Sequence, residues 1–396
     1  MHVSRGVFDV KSTVRKLSSR LRPPPKIYRP EWPVMTAARP LFYVLRFFGL
    51  APFTISDDRS FVYSKYGRFY SLLCALVHTY VIYTIVYKFT VIERKTAVLD
   101  VVETAKVIIN YCIVIFNLVV AVWKQREFIG VLNTLKNFDS RLRDLGHPLK
   151  KRPVRIWVWS MGFLNALLWI AVNYTGMVAF GETWITNVAY ILNYLATVLS
   201  IVKFSGVVLL LGQRFQHLNE VALRSKQSTL MAKQNYVAVD FKVIQQLHNI
   251  LMTTGESLDH QYSSSLMVWL INLCLHSVSF LYFLFDWLIL TRFWTSARWP
   301  LVHCILWWLL TYVMQLLLLH ISCHYTSNEA NNLGSIIINW KSLSSVRNYR
   351  MESSLHLINR RLNFTAAGCF SINLPLLSSI ASILTTYLVL MLQFQS

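Results

Sequence analysis

The chain has 396 residues, of which 55% are hydrophobic and only 14% are charged, and its mean hydropathy is +0.43. So few polar residues cannot cover a soluble core of this size, which excludes a soluble globular protein and predicts an integral membrane protein. The net charge of +21 would suit a nucleic-acid partner, but the basic residues lie between apolar segments rather than in a groove rich in aromatic residues. We therefore expect contact with membrane lipid and no nucleic acid.

The N-terminal region is basic and precedes the first long apolar run. Residues 1–40 hold nine Lys and Arg and three consecutive prolines, a composition that cannot bury a core, so we expect most of them to be disordered. Residues 41–53 are apolar and aromatic but too short to cross a bilayer, and they fit an interfacial helix beneath a bundle. Because the first apolar run begins only after Pro40, no cleavable signal peptide is expected.

Seven longer apolar runs follow, and each is long enough to cross a bilayer as an α-helix. We predict an all-α membrane protein with seven transmembrane helices, near residues 71–89, 101–123, 156–179, 184–211, 264–290, 299–322 and 366–394. Of the 39 Lys and Arg, 32 lie before the first run or in the even-numbered loops and 5 in the odd-numbered loops. The positive-inside rule then predicts a cytoplasmic N-terminus and, after seven crossings, an extracellular C-terminus.

The two longest even-numbered loops show helical periodicity in their apolar residues. Apolar residues recur at helical spacing on one face of 237–251, namely Val237, Phe241, Ile244 and Leu251. They also do so on one face of 351–362, namely Met351, Leu355, Ile358 and Leu362. We expect the helices near 184–226 and 235–290 to continue past the membrane as uninterrupted rods.

The last run, 366–394, has no charged residue or histidine and carries polar residues on one helical face. As one helix it would exceed the ~30 Å hydrocarbon core, so we expect a break at Pro375, with 366–374 in protein beside the membrane. The stripe recurs at alternating steps of four and three, through Pro375, Ser379, Ser382, Thr386, Val389 and Gln393. It fits either close helix packing or the wall of a water-filled path; the amide of Gln393 favours the path, because in lipid it would need partners.

The end of the chain resembles the insect gustatory receptor family. Residues 386–394 read Thr-Tyr, five apolar residues and Gln-Phe, the signature of that family at the same place near the C-terminus. Upstream, Gly368, Phe370 and Asn373 are also in register, whereas Cys369 stands where an aromatic residue is common. The motif covers only the end of the chain, and the pattern of seven segments covers the rest.

The resemblance implies a ligand-gated, non-selective cation channel in the plasma membrane, opened by a small-molecule tastant such as a sugar, a bitter compound or an internal nutrient. It also implies a homotetramer, or a hetero-oligomer with related subunits, around one central pore. The helical extensions would form an anchor between subunits; otherwise they are amphipathic helices within one subunit. The residues that would line the path of the permeating cations, with Gln393 as the gate, are Ser379, Ser382, Thr386, Val389 and Gln393.

On this interpretation the chain has three regions. Residues 1–70 form a cytoplasmic N-terminal region with the interfacial helix. Residues 71–322 form a six-helix membrane bundle with an outer ligand pocket and cytoplasmic helical extensions. Residues 323–396 hold the cytoplasmic anchor helix and the seventh helix, which lines the pore.

The predicted outer halves of the second to sixth segments hold aromatic and hydrogen-bonding residues. A small polar ligand needs apolar walls for its C–H faces and a few donors and acceptors, which this mixture provides. The alternative is an interfacial belt of Trp and Tyr. The resemblance places the family's pocket in this outer half, and our candidate ligand residues there are Trp169, Asn173, Tyr190, Ser279, Tyr282, Phe283, His303 and Trp307.

Charged residues inside the runs have ordinary explanations. Lys203 falls near the predicted inner interface, where its long side chain would reach the headgroups, and Glu103 and Lys106 are three residues apart and can pair. Four intramembrane residues could suggest a metal or catalytic set, namely His276, His303, His320 and Asp286. They are spread over two helices without metal-ligand spacing, so we expect no metal, no cofactor and no catalytic set.

Two other function classes remain as alternatives. A metabotropic seven-helix chemoreceptor would have the opposite orientation, and the chain lacks an Asp-Arg-Tyr-like triplet at the inner end of the third run. The sequence at 373–375 is Asn-Leu-Pro and does not match the Asn-Pro-x-x-Tyr site of that class. A membrane transporter or enzyme is disfavoured because the sequence shows neither internal repeats nor a catalytic set.

Overall fold

The computed structural model describes residues 33–56, 60–91, 97–149, 152–181, 183–231, 239–285, 299–338 and 359–395. The disorder predicted for most of 1–40 falls outside these ranges for residues 1–32, whereas residues 33–40 are helical. Most of the helix predicted at 351–362 also lies outside the described residues. Asp286 and the side chain of Glu103 also lie outside the described part, so the pairing predicted between Glu103 and Lys106 stays a prediction.

The described chain begins with helix α1, Pro33–Phe47, followed by a short antiparallel hairpin of strands β1, Phe53–Ile55, and β2, Phe61–Tyr63. The helix predicted at 41–53 therefore begins earlier and ends at Phe47. A left-handed turn at Gly49 (φ 73°) directs the chain back into the protein, where Leu50 and Ala51 are buried. This burial is the reason why the segment does not continue as an interfacial helix.

Within the described ranges the chain continues through long helices and one more hairpin. Their bounds are α2 Lys65–Val91, α3 Ala97–Trp123, α4 Gln125–Asp144, α5 Arg152–Phe180, α6 Trp184–Met231, α7 Phe241–Phe285, α8 Trp299–Ile338, β3 Thr365–Ala366, β4 Phe370–Ser371 and α9 Leu374–Gln395. The fold is mostly helical, as predicted, and the two hairpins are the exceptions that the sequence did not indicate.

Six of the described helices, α2, α3 and α5 to α8, are long and apolar enough to cross a membrane, and α9 carries a shorter apolar stretch. The break predicted before the last helix is confirmed: 365–371 form the second hairpin and its turn, and α9 begins at Leu374 with Pro375 in its first turn. The rods predicted for the fourth and fifth segments are also confirmed, because α6 has 48 residues and α7 has 45. At ~1.5 Å per residue both are far longer than a ~30 Å membrane core.

Helix α6 forms the centre of the bundle and packs against α2, α3, α5, α7 and α8. It has apolar residues on all sides, so 72% of an apolar 18-residue stretch of α6 is buried. In α2 and α5 the corresponding fractions are 22% and 17%, and their exposed residues are mostly apolar. Such surfaces fit contact with lipid rather than water.

At one end of the bundle α4 packs beside the extension of α7, and strand β2 of the first hairpin packs on α4. We call this the predicted inner end, since the charge bias assigns it to the cytoplasm, and we call the end near Trp184 the predicted outer end. Helix α4 lies in a basic loop that the sequence left without structure. Its buried residues recur at helical spacing, including Phe128, Leu135 and Leu142.

Lys203 corrects another prediction. Its side chain does not extend to the headgroups: it is 8% exposed, and its Nζ donates a hydrogen bond to the carbonyl oxygen of Leu50 at 3.0 Å. The returning N-terminal segment supplies this acceptor within the protein, so the ammonium group needs no path to water.

Candidate functional site

Four helices, α5 to α8, bring together a set of rings that we call the aromatic cluster. Its members are Trp169, Tyr190, Tyr194, His276, Phe280, Trp308 and Tyr312. Trp308 on α8 lies at the centre, and its ring centroid is 5.6 Å from that of Trp169 and 4.9 Å from that of Tyr194. Edge-to-face and offset rings at these distances attract each other beyond their area burial. The cluster therefore fixes the relative positions of the four helices.

The cluster is built from aromatic pairs four residues apart, which lie on one face of a helix. On α6 the pair is Tyr190 and Tyr194, on α7 it is His276 and Phe280, and on α8 it is Trp308 and Tyr312. The sequence prediction named only Tyr190 from these pairs as a ligand residue. This spacing on three helices is the signal that would have found the other five members.

Among the predicted ligand residues, Trp169 and Tyr190 belong to the aromatic cluster, but Trp307 does not. Consecutive residues on a helix point about 100° apart, so with Trp308 in the cluster Trp307 is turned to the side, where it is only partly buried. His303 is exposed and contacts Trp299 through its ring. The predicted ligand role of these residues stays a prediction.

The remaining predicted ligand residues lie around the cluster. The Nδ2 of Asn187 donates to both the carbonyl oxygen and Oδ1 of Asn173 at 2.8 Å, so Asn173 joins α5 to α6. Tyr282 and Phe283 contact each other with ring centroids 5.6 Å apart. The hydroxyl of Ser279 is buried and makes no hydrogen bond with a described residue, which leaves it able to bond a ligand.

One cation lies against the cluster. The ammonium group of Lys106 on α3 is 4.2 Å from the ring centroid of Phe280 and 5.4 Å from that of Phe283. An ammonium group over aromatic faces is attracted by their negative potential. Lys106 therefore connects α3 to the rings of α7.

Among the described residues, helix α9 makes few contacts with the rest of its chain. Leu376, Leu377 and Ile380, near its start, pack on the bundle. All the residues predicted to line a pore are exposed, namely Ser379, Ser382, Thr386, Val389 and Gln393. The hydroxyls of Ser379 and Thr386 donate to carbonyl oxygens of their own helix. The structure thus presents the polar stripe on an open surface.

The segment before α9 is held against α7 and α8 by hydrogen bonds that we call the hairpin clamp. The backbone N–H of Thr365 donates to Oδ1 of Asp259 at 2.6 Å, and Oγ of Ser263 donates to the carbonyl oxygen of Thr365 at 2.9 Å. Asn331 on α8 accepts from the N–H of Leu362 and donates to its carbonyl oxygen. The backbone that enters α9 is thus bonded to two long helices.

An ion pair adds to the hairpin clamp. The guanidinium group of Arg360 donates to both carboxylate oxygens of Glu256, at 2.8 and 2.6 Å. The hydrogen bond to Glu256 raises the pKa of Arg360, so the guanidinium group stays charged at physiological pH. Its side chains are 30% and 44% exposed, so solvent screens the pair and the backbone bonds of the clamp carry more of the attachment.

The sequence profile of the 7tm chemosensory receptor family matches residues 38–396. The chain belongs to this family. The resemblance to insect gustatory receptors is confirmed by a relative, the protein named gustatory receptor 28b of Drosophila melanogaster. It is 34% identical to the present chain over 70 residues. That match covers 18% of this chain and 15% of the length of the relative, well under two thirds of it. The family consists of receptors and is not an enzyme family.

The receptor also has the fold of a solved insect receptor. The olfactory receptor OR5 from Machilis hrabei matches with a TM-score of 0.61 at 15% sequence identity, over 91% of this chain and 98% of that one. The same olfactory receptor in complex with eugenol matches with a TM-score of 0.59 at 16% identity, over the same shares of both chains. At this identity the likeness shows the shared multi-pass membrane fold.

In this chemosensory receptor the aromatic cluster and the hairpin clamp share two helices. Helix α7 carries His276 and Phe280 in the cluster and Asp259 in the clamp, and α8 carries Trp308 and Asn331. Asp259 and His276 are 17 positions apart, which is roughly 26 Å of helix. A continuous rod thus joins the two sites.

Proposed function

We propose that this receptor is a subunit of a ligand-gated, non-selective cation channel that a small-molecule tastant opens. In the proposed assembly four copies surround one pore, and α9 of each copy lines it. The observation that carries the proposal is the exposure of α9. Ile383 and Tyr387 are 56% and 55% exposed, although α9 is apolar and uncharged and a polar stripe runs along it.

Lipid alone does not suit both sides of α9. Its Leu, Ile and Val faces are compatible with hydrocarbon, whereas the stripe carries hydroxyls and an amide, which are unfavourable against hydrocarbon. Copies of α9 around a shared axis would place the stripe against water and the flanking apolar residues against protein or lipid. The homotetramer implied by the gustatory receptor resemblance has this arrangement, and related subunits could replace some copies.

The aromatic cluster and its neighbours are the proposed ligand region. The rings offer apolar walls, and Ser279 offers a buried hydroxyl that no described residue bonds. OR5 of the same fold has been solved in complex with eugenol, a small molecule, which supports a small-molecule ligand here. A ligand that packs more tightly on one arrangement of the rings than on another shifts the equilibrium between closed and open states.

The proposed orientation places the cluster in the outer half of the membrane and the hairpin clamp at the cytoplasmic side, in keeping with the charge bias of the loops. A tag added after the last residue should then be labelled on intact cells, and a tag before the first residue should not. The reverse pattern of labelling would refute the orientation and favour a metabotropic receptor.

The decisive experiment uses the purified receptor in planar bilayers that contain no G protein. We expect cation current on addition of an active compound from a panel of sugars, bitter compounds and amino acids.

Gln393→Ala should alter basal current or permeation and leave surface expression intact, because Gln393 is the last polar residue of the stripe. A receptor that binds ligand without passing current would contradict the channel, and loss of assembled protein in Gln393→Ala would make Gln393 a packing residue.

A further inference from the structure

A small internal cavity lies where the returning N-terminal segment meets α3, α4, α6 and α7. We call it the inner cavity. The volume that the centre of a water molecule can occupy in this cavity is about 10 Å³, which is room for about one water molecule. Its walls are formed by Leu50, Pro52, Phe53, Val120, Ala121, Lys124, Gln125, Phe128, Lys203, Gln261 and Tyr262. Most of the wall is apolar, and its polar side chains are those of Lys124, Gln125, Lys203, Gln261 and Tyr262. The ammonium group of Lys124 already donates to the carbonyl oxygen of His260, and three of the others carry the argument.

Two of these polar side chains are glutamines whose orientation is fixed. The Nε2 of Gln125 donates to the carbonyl oxygen of Pro52 at 2.6 Å, and the Nε2 of Gln261 donates to the carbonyl oxygen of Lys124 at 2.9 Å. Rotating either amide would place oxygen against oxygen, so the assignment of N and O is determined by the bonds. Both Oε1 atoms are buried, and neither accepts a hydrogen bond from a described residue.

The third polar group is the ammonium group of Lys203. It donates one of its three N–H bonds to the carbonyl oxygen of Leu50 and lies 4.9 Å from the ring centroid of Phe128 and 5.7 Å from that of Tyr262. The side chains of Lys203, Gln125 and Gln261 are 8%, 2% and 1% exposed. Buried acceptors without a donor are unfavourable, so the two amide oxygens call for a donor within the cavity.

We propose that the inner cavity binds one water molecule that joins Lys203, Gln125 and Gln261. The water accepts a hydrogen bond from the ammonium group and donates one to each amide oxygen, which satisfies all three groups at once. A cation would be repelled by Lys203, and an anion would face two amide oxygens. The bound water thereby fastens the segment after α1, through Leu50 and Pro52, to three bundle helices.

The proposal does not depend on channel activity, so stability of the full-length receptor tests it. Ala121 lines the inner cavity, and Ala121→Val adds two methyl groups that take the place of one water. Displacing a bonded water leaves the amide oxygens without a donor, so the apparent melting temperature should fall by about 2 °C or more. Filling a dry cavity would instead raise it. The matched control is Ala105→Val, an exposed position of the same helix, which should change little.

A second variant series removes the acceptors. In Gln125→Leu/Gln261→Leu there is no amide oxygen to satisfy, so adding Ala121→Val should no longer lower the melting temperature. A penalty of the same size in both backgrounds would mean that the valine clashes, and it would overturn the proposal.

A density map of the native receptor supplies a test that needs no variant. We expect one peak within hydrogen-bond distance of Lys203 Nζ and of both glutamine Oε1 atoms. Ordered side chains around an empty centre would overturn the proposal, whatever the variants show.

Discussion

Helices α6 and α9 are both apolar, yet the protein uses them in opposite ways. Of an apolar 18-residue stretch of α6, 72% is buried, whereas α9 packs on its own chain mainly through Leu376, Leu377 and Ile380. The polar side chains of the two helices also differ in their hydrogen-bond partners. On α6, Thr197 donates to Asn110 of α3, while the hydroxyls of Ser379 and Thr386 on α9 bond only to their own helix among the contacts described.

This difference teaches that apolar composition identifies a membrane helix but does not say what covers it. The surroundings of α6 are complete within one subunit, so changes to its polar contacts should affect folding. The polar stripe of α9 is instead exposed in the described part of one chain. Changes there should affect conduction and leave the subunit folded.

The largest effect is expected at the ion pair that joins α4 to α6. Arg214 donates to both carboxylate oxygens of Asp139, at 3.1 and 2.7 Å, and the side chains are 0% and 4% exposed. Arg214→Met leaves a buried carboxylate without its partner, which should cost about 3–5 kcal/mol of stability. Thermal unfolding in detergent measures the loss, and Asp139→Leu in the same chain should recover much of it.

The matched control for this pair lies on the same helix. Arg224 pairs with Glu220 at 3.5 Å, and the two side chains are 56% and 45% exposed, so Arg224→Met should change stability by no more than about 1 kcal/mol. Equal losses of stability at Arg214 and Arg224 would show that burial within the subunit does not determine how much a polar contact of α6 stabilises the protein.

A smaller effect is expected at the hairpin clamp, which lies between the buried helices of the bundle and the exposed α9. Asp259→Ala removes the acceptor for the N–H of Thr365 and should cost about 1–3 kcal/mol, because that donor is partly buried. Since the clamp holds the start of α9, basal current should change as well. Asp259→Asn keeps an acceptor oxygen and should retain most of the stability; if it is as damaging as Asp259→Ala, the charge rather than the bond matters.

The aromatic cluster should show its effect in ligand response. Trp308 contacts five rings, and a stacked ring contributes roughly 1–2 kcal/mol to binding, so Trp308→Phe should raise the half-maximal dose about tenfold for the most potent tastant of a panel. Trp307→Phe is the adjacent control. A larger shift at Trp307 than at Trp308 would place the ligand on the other face of α8 and support the original sequence prediction.

The smallest effect on stability is expected on the stripe of α9. Ser382→Ala removes an exposed hydroxyl and should change stability by less than about 0.5 kcal/mol. Single-channel conductance should nevertheless change, because the stripe lines the proposed pore. If unfolding shifts while conductance stays constant, the stripe is a packing surface.

The sequence by itself determined the properties that depend on local pattern. Hydropathy predicted the membrane class and seven spans, because a membrane helix satisfies its own backbone and needs only apolar side chains. Six of these spans are long apolar helices in the structure, and the seventh is the shorter apolar stretch of α9. Pro375 predicted the break before the last helix, and the Thr-Tyr and Gln-Phe ends of the C-terminal motif predicted the receptor family.

Only the tertiary structure decided which face of each helix meets a partner. The choice of Trp308 over Trp307 depends on the rotation of α8 against three other helices, and no local pattern in α8 alone contains that rotation. The basic composition around α4 hid a helix whose apolar face packs on the extension of α7. The bond between Asp259 and Thr365 joins residues 106 positions apart, so only the folded bundle brings the acid to its backbone donor.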